Sequence, residues 1–224
     1  MENKAVLDRF VEYGQLLALF SKDKSKFISL GNNCLISYYL KDIGLKKESY
    51  PFDWVFSSAE VVESCIKDSF SNYLDVDMIK PSANKKSAGH LSLHQSFFNH
   101  RNPLADNNSF AYYERKVKRF LYQQEKKENL FLVNIIKNPE QRPGWANGFY
   151  TDSHLDQNYK DYLGLCDLLP NGKFIFFEIY TDAVNSSVEL LRNTESYIAL
   201  SVTLKGKSDG VCFKDRESDY LNYY

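Results

Sequence analysis

Apolar and polar positions in this chain fall into blocks whose period changes from helix to strand and back. Leu7, Phe10, Val11, Leu17 and Ala18 recur at helical spacing, with Gly14 on the same face, and predict a helix within residues 5–20. The polar run Lys22-Asp23-Lys24-Ser25-Lys26 ends it. Phe27 to Leu30 is a short apolar run that predicts a strand, and Gly31-Asn32-Asn33 predicts a tight turn. Ile36, Tyr39, Leu40 and Ile43 share one face of a helix from about Cys34 to Ile43. Gly44 then fits a left-handed C-cap, with Leu45 as its apolar closure. After the aromatic block Tyr50-Pro51-Phe52-Asp53-Trp54-Val55-Phe56, Ser57 and Glu60 fit a capping box. The helix that follows, about 58–70, presents Val62, Cys65, Ile66 and Phe70 on one stripe. His90-Leu91-Ser92-Leu93-His94 alternates, which suits one short strand. Phe110, Tyr113, Val117, Phe120 and Leu121 mark a helix to about Lys127, with Arg115, Lys116, Lys118 and Arg119 on its other face.

The second half alternates more regularly. Leu130 to Ile136 is almost wholly apolar, as a strand covered on both faces should be. A loop over 138–150 leads to a predicted helix from about His154 to Leu169. Phe174–Ile179 and Tyr197–Val202 are further buried strands, separated by a weaker helix over Val184–Arg192. Val211-Cys212-Phe213 reads as a short antiparallel edge strand. Repeated strand–helix–strand units imply an α/β fold: a mainly parallel, doubly wound sheet with helices on both faces. No linker divides residues 1–224, so one domain is expected, with residues 1–26 packed on it as helix and connector.

The totals narrow the function classes. At 224 residues and 43% hydrophobic, the chain can bury a sizeable core. Its net charge of -1 and pI of about 6.4 give no general attraction to nucleic acid or a membrane surface. The N-terminus is too charged for a secretory signal, and no apolar run nears the roughly 20 residues of a membrane span. Four cysteines, Cys34, Cys65, Cys166 and Cys212, lie far apart without a Cys-x-x-Cys. Reduced thiols in the cytoplasm are the simplest account. Neither a dinucleotide fingerprint nor a P-loop is present, so no cofactor is implied. The expected partner is a small-molecule, peptide or glycan substrate.

Ligands of such sheets bind outside the carboxyl ends of the strands. There Gly31-Asn32-Asn33 meets Cys34 at the start of a helix, where unpaired N–H groups favour negative charge and a thiol becomes more nucleophilic. A small apolar cysteine packed under the turn is the plainer reading. A thiol nucleophile needs a base, and only His90, His94, His100 and His154 are available. The first three could ligate a metal, but their order lacks a Glu-x-x-His, and no metal is assigned. Asp53, flanked by Pro, Phe and Trp, must be paired or protonated. It caps a turn, pairs with an Arg or Lys, or orients a histidine. The basic helix face is a solvated surface or an anion-recognising patch.

Ser29-Leu30-Gly31-Asn32-Asn33-Cys34, followed by Tyr50-Pro51-Phe52-Asp53-Trp54, resembles an uncharacterised bacterial family labelled "putative papain-like cysteine peptidase". Phe97-Phe98-Asn99-His100 and Glu114-Arg115-Lys116-Val117-Lys118-Arg119-Phe120 resemble its later blocks. The likeness covers roughly residues 27–135. It implies a cysteine-dependent hydrolase with a Cys34–His100 dyad and Asp53 or Asn99 as orienter. Gly31, Asn32, Asn33, Trp54, Arg115 and Arg119 are then the candidate oxyanion and substrate-binding residues. The turn before Cys34 is also similar to the nucleophile position of SGNH-type esterases and acyltransferases, for which Asp152 and His154 would complete the set. A third reading is a non-enzymatic module that binds a sugar or anion at the Gly31-Asn32-Asn33 turn.

Overall fold

The computed structural model describes residues 26–31, 33–42, 44–127, 129–137, 157–181 and 183–205. The expected helix within 5–20, the loop 138–150, Asp152, His154 and the edge strand at 211–213 lie outside them, as does Asn32.

The described chain is a mixed α/β structure with two sheets. In the larger, β1 (Lys26–Ser29), β5 (Asn129–Ile136), β6 (Gly172–Tyr180), β8 (Tyr197–Thr203) and β7 (Ser187–Asn193) lie side by side in that order. The first four are parallel, and β7 runs antiparallel to β8. β2 (Ile79–Pro81), β3 (Ala88–His90) and β4 (His94–Phe98) form a small antiparallel sheet. The helices are α1 (Leu35–Asp42), α2 (Ala59–Lys67), α3 (Asn107–Gln123) and α4 (Gly164–Leu168), with short 3-10 turns between. Among the described strands the order does not double back from β1, so the reversal of a doubly wound sheet is not seen in them.

Every residue of β5 is buried. Its period of two sends alternate side chains into different clusters. Phe131, Val133 and Ile135 join a large aromatic core with Phe52, Phe70, Tyr73, Phe97, Phe98 and Phe120. Leu130, Leu132 and Ile136 pack with Leu35, Ile36 and Leu40 of α1. Phe52 ties the aromatic block to this cluster. Its ring lies 5.7 Å from Phe70, 6.4 Å from Tyr73 and 6.0 Å from Phe120.

Sequence periodicity and structure part company at several places. Residues 187–193 form β7 rather than a helix. Leu190 and Leu191 of this edge strand are exposed, and hydrogen bonds to β8 decide the conformation instead of burial. His90 and His94 are not on one strand; they face each other across the β3–β4 hairpin. The N-cap of α2 is Ser58, whose hydroxyl accepts from Val61 N at 3.3 Å, which frees Ser57 for another task. The helix stops at Lys67, because Ser69 and Phe70 adopt φ of 53° and 63°. Gly44 does close α1, at φ 72°.

Candidate active site

Gly31 follows β1 at the carboxyl edge of the parallel sheet. Its contact with β5 leaves no room for a side chain. A Cβ there would lie 1.9 Å from Oδ1 of Asn134 and 3.1 Å from its backbone nitrogen. Ser57 Oγ donates to the Gly31 carbonyl and sits 3.5 Å from that of Leu30. Asn33 is wholly buried, and its Oδ1 accepts from Leu35 N and from Asn134 Nδ2, each at 3.0 Å. The first bond caps an orphan N–H of α1, as Asx turns do. The second reaches a residue 101 positions away. Cys34 sits between Asn33 and the helix. Its thiol is in no disulfide among the described residues and is partly exposed, and its carbonyl accepts the first helical bond from Tyr38 N at 3.0 Å.

Gly31→Ala is therefore expected to force Asn134 away from Asn33 and loosen the seat of Cys34. A loss of about 1–3 kcal/mol, read by urea unfolding, accompanies slower alkylation of Cys34. Unchanged stability would mean that β1 and β5 separate freely at this point.

The block after α1 wraps against it. Asp53 is fully buried, and both its oxygens are occupied. Oδ1 accepts from Ser37 Oγ of α1 at 2.9 Å. Oδ2 accepts from Tyr50 N at 2.6 Å and from the ammonium of Lys46, itself almost buried. Among the described residues His100 is not one of its partners. Arg119 of α3 donates from Nη1 to the Ser49 carbonyl at 3.2 Å, and Tyr73 Oη donates to that of Pro51 at 3.0 Å. Both fix the turn from outside.

Three histidines of the described chain differ in their freedom. His90 is buried, with Nε2 2.9 Å from the Asn72 carbonyl and Nδ1 accepting from Ser92 N and Leu93 N at 3.4 and 3.3 Å. The ring of His94 lies edge-on to Phe56, at 5.5 Å between centroids. The ring of His100 meets Trp54 in the same way at 5.8 Å. His100 is exposed as a residue, yet its ring is sufficiently enclosed that desolvation, followed by the positive charge of Lys116, holds its pKa below the usual 6.5. The segment Trp54–Ser57 thus touches His100, His94 and the Gly31 carbonyl in turn.

The other thiols sit in different surroundings. Cys65 is 1% exposed, and burial raises its pKa far above the ordinary value. Burial, then the carboxylate of Asp167, pushes Cys166 up to about 11. Of the basic face, Arg115 and Lys118 are exposed. Lys116 instead points inward and is 1% exposed, which corrects the reading of that face as uniformly solvated. Asn134 and the inward turn of Lys116 are what sequence reasoning missed. Among the described residues no three of His, Cys, Asp or Glu converge as a metal site would need, and no helix is long and apolar enough to cross a membrane.

A family model described as "Putative papain-like cysteine peptidase" matches residues 25–142, just over half of the chain. The chain belongs to that family. The matched region of this papain-like peptidase family holds Cys34, Asp53, His94, His100, Lys116 and Asn134, whereas Asp152 and His154 fall beyond it. "Uncharacterized protein R408" of Acanthamoeba polyphaga mimivirus is 51% identical over 49 residues, which is 21% of this chain and 22% of the relative. The match thus spans about a fifth of that relative's length, and the relative is viral rather than bacterial. No solved structure matches the chain.

Proposed function

We propose that the protein is a cysteine hydrolase acting at an acyl carbon, with Cys34 as nucleophile and His100 as general base. The observation that carries this reading is the seat of Cys34. A partly exposed thiol stands five positions beyond the end of a parallel strand, at the opening of α1, in a member of a family described as "Putative papain-like cysteine peptidase". His100 takes the thiol proton as sulfur attacks the acyl carbon. N–H groups of the Gly31–Asn33 turn and the first turn of α1 stabilise the oxyanion. Collapse expels the leaving group, which takes the proton from His100, and water then cleaves the thioester. Asp53 acts through Ser37, as the anchor of α1, and Trp54 supports the His100 ring. Peptides are the substrate class to which the family's description points.

The test is the pH dependence of iodoacetamide alkylation at each cysteine, resolved by mass spectrometry. Cys34 is expected to react well ahead of Cys65 and Cys166. Because the base must be unprotonated, the rate falls as pH drops through the folded pKa of His100, which lies below 6.5. His100→Ala slows Cys34 and removes that acid limb, while His94→Ala leaves it in place. A Cys34 no faster than Cys166, or indifferent to His100, overturns the assignment.

A further inference from the structure

Lys116 has no part in the reaction just described, and its setting is unusual. It is 1% exposed, yet no hydrogen-bond acceptor serves its ammonium among the described residues. The Nζ atom lies 5.2 Å from the centre of the Tyr112 ring and 5.0 Å from that of Tyr113. Arg101 places its guanidinium 4.9 Å from the same Tyr112 ring. These ring faces ease the charge but satisfy none of its three N–H groups. Lys46, Arg119 and Asp53 are near enough to act on it electrostatically. The carboxylate of Asp53 is fully engaged by Ser37, Tyr50 and Lys46. Of the described charges that act on Lys116, two are cations and one, Asp53, is a carboxylate. Glu48, the next carboxylate along, is held by Tyr50 Oη at 3.0 Å and Lys26 at 3.3 Å. A buried ammonium without acceptors is costly unless something supplies them.

We propose that Lys116 is the buried donor of an oxyanion subsite between α3 and the Tyr50–Trp54 turn, taking a carboxylate or phosphate group of the molecule that reaches His100. Arg119 and Lys46 lend positive potential, and His100 and Trp54 form its rim. The subsite itself stands apart from thiol chemistry. Its extension to the substrate rests on the function proposed above: the preferred acyl substrates carry a carboxylate or phosphate close to the bond that is cleaved.

The test titrates the full-length chain with inorganic phosphate and, separately, with acetate, while chloride holds ionic strength constant. Wild type and Cys34→Ala are expected to show a saturable rise in Tm with at least one of the two, and the anion that acts identifies the group. Lys116→Met is expected to bind that anion about tenfold more weakly or not at all, as the loss of a charge-assisted bond requires. Its Tm without anion should equal or exceed that of wild type, since methionine fills the volume without an unsatisfied charge. A second readout needs no variant. Limited acetylation with acetic anhydride, read by mass spectrometry, should show the anion protecting Lys116 but not the exposed Lys118. Absence of a saturable effect in wild type, retention of it in Lys116→Met, or equal protection of the two lysines would each overturn the subsite. Binding that survives in an otherwise unreactive protein would uphold the subsite and count against the hydrolase reading alone.

Discussion

Cys34→Ala is expected to lower the turnover of an activated ester such as p-nitrophenyl acetate by about 10³-fold or more, because a nucleophile cannot be replaced by its neighbours. The same variant should lose the acylated species that mass spectrometry finds on the quenched wild-type protein. Its fold should hold, since the thiol is partly exposed and makes no part of either hydrophobic cluster. Ser57 on the Gly31 carbonyl and Asn134 on the Asn33 side chain, which hold the turn before it, remain in place. Wild-type turnover in Cys34→Ala would end the case for covalent catalysis and favour a binding role for the turn. Esters suit this first assay because their leaving group needs no proton from the base.

The second large effect is on stability. Asp53→Ala removes the one carboxylate that Lys46, Ser37 and the Tyr50 N–H share in a fully buried position. Taking away one partner of a buried ion pair leaves the other uncompensated, at about 3–5 kcal/mol. For a chain of this size that corresponds to a fall in Tm of about 10 °C. Asp53→Asn keeps a hydrogen-bonding oxygen and should lose less. Thermal unfolding of the two variants checks the order. An Asp53→Ala protein with wild-type Tm but no activity would make Asp53 a direct orienter of the base, not the anchor of α1.

Much of the fold could be read from the sequence where burial and hydrogen bonding favour the same conformation. β5, β6 and β8 are apolar runs because both their faces are covered. Gly44 was legible because only glycine takes its φ without strain. β7 was not legible. Val184, Val188 and Leu191 have the spacing of a helical stripe, but the conformation of residues 187–193 is dictated by a neighbouring strand that periodicity does not see. Lys116 misled for a related reason. A charge is normally a sign of solvent, and only the aromatic rings around this one show that it turns inward.

The site divides in the same way. Its local half, the Gly-Asn-Asn turn and the thiol that follows, stands out in the sequence. Asp53 was identified as a carboxylate needing a partner, and its partner is Lys46. Asn134 looks like a lone polar interruption in an apolar strand. Its purpose appears only when parallel pairing sets it beside Gly31 and Asn33.

That pairing also has a consequence for the order of events during synthesis. The Asn33–Asn134 bond joins residues 101 apart, and the β1–β5 ladder that aligns them is equally non-local. Contacts of that separation form late, because a long loop must close before they return any stability. A ribosome-bound chain that has exposed α1 and the aromatic block, but not yet β5, carries the cysteine without its seat. The thiol therefore gains its fixed backbone only once the central strand has docked.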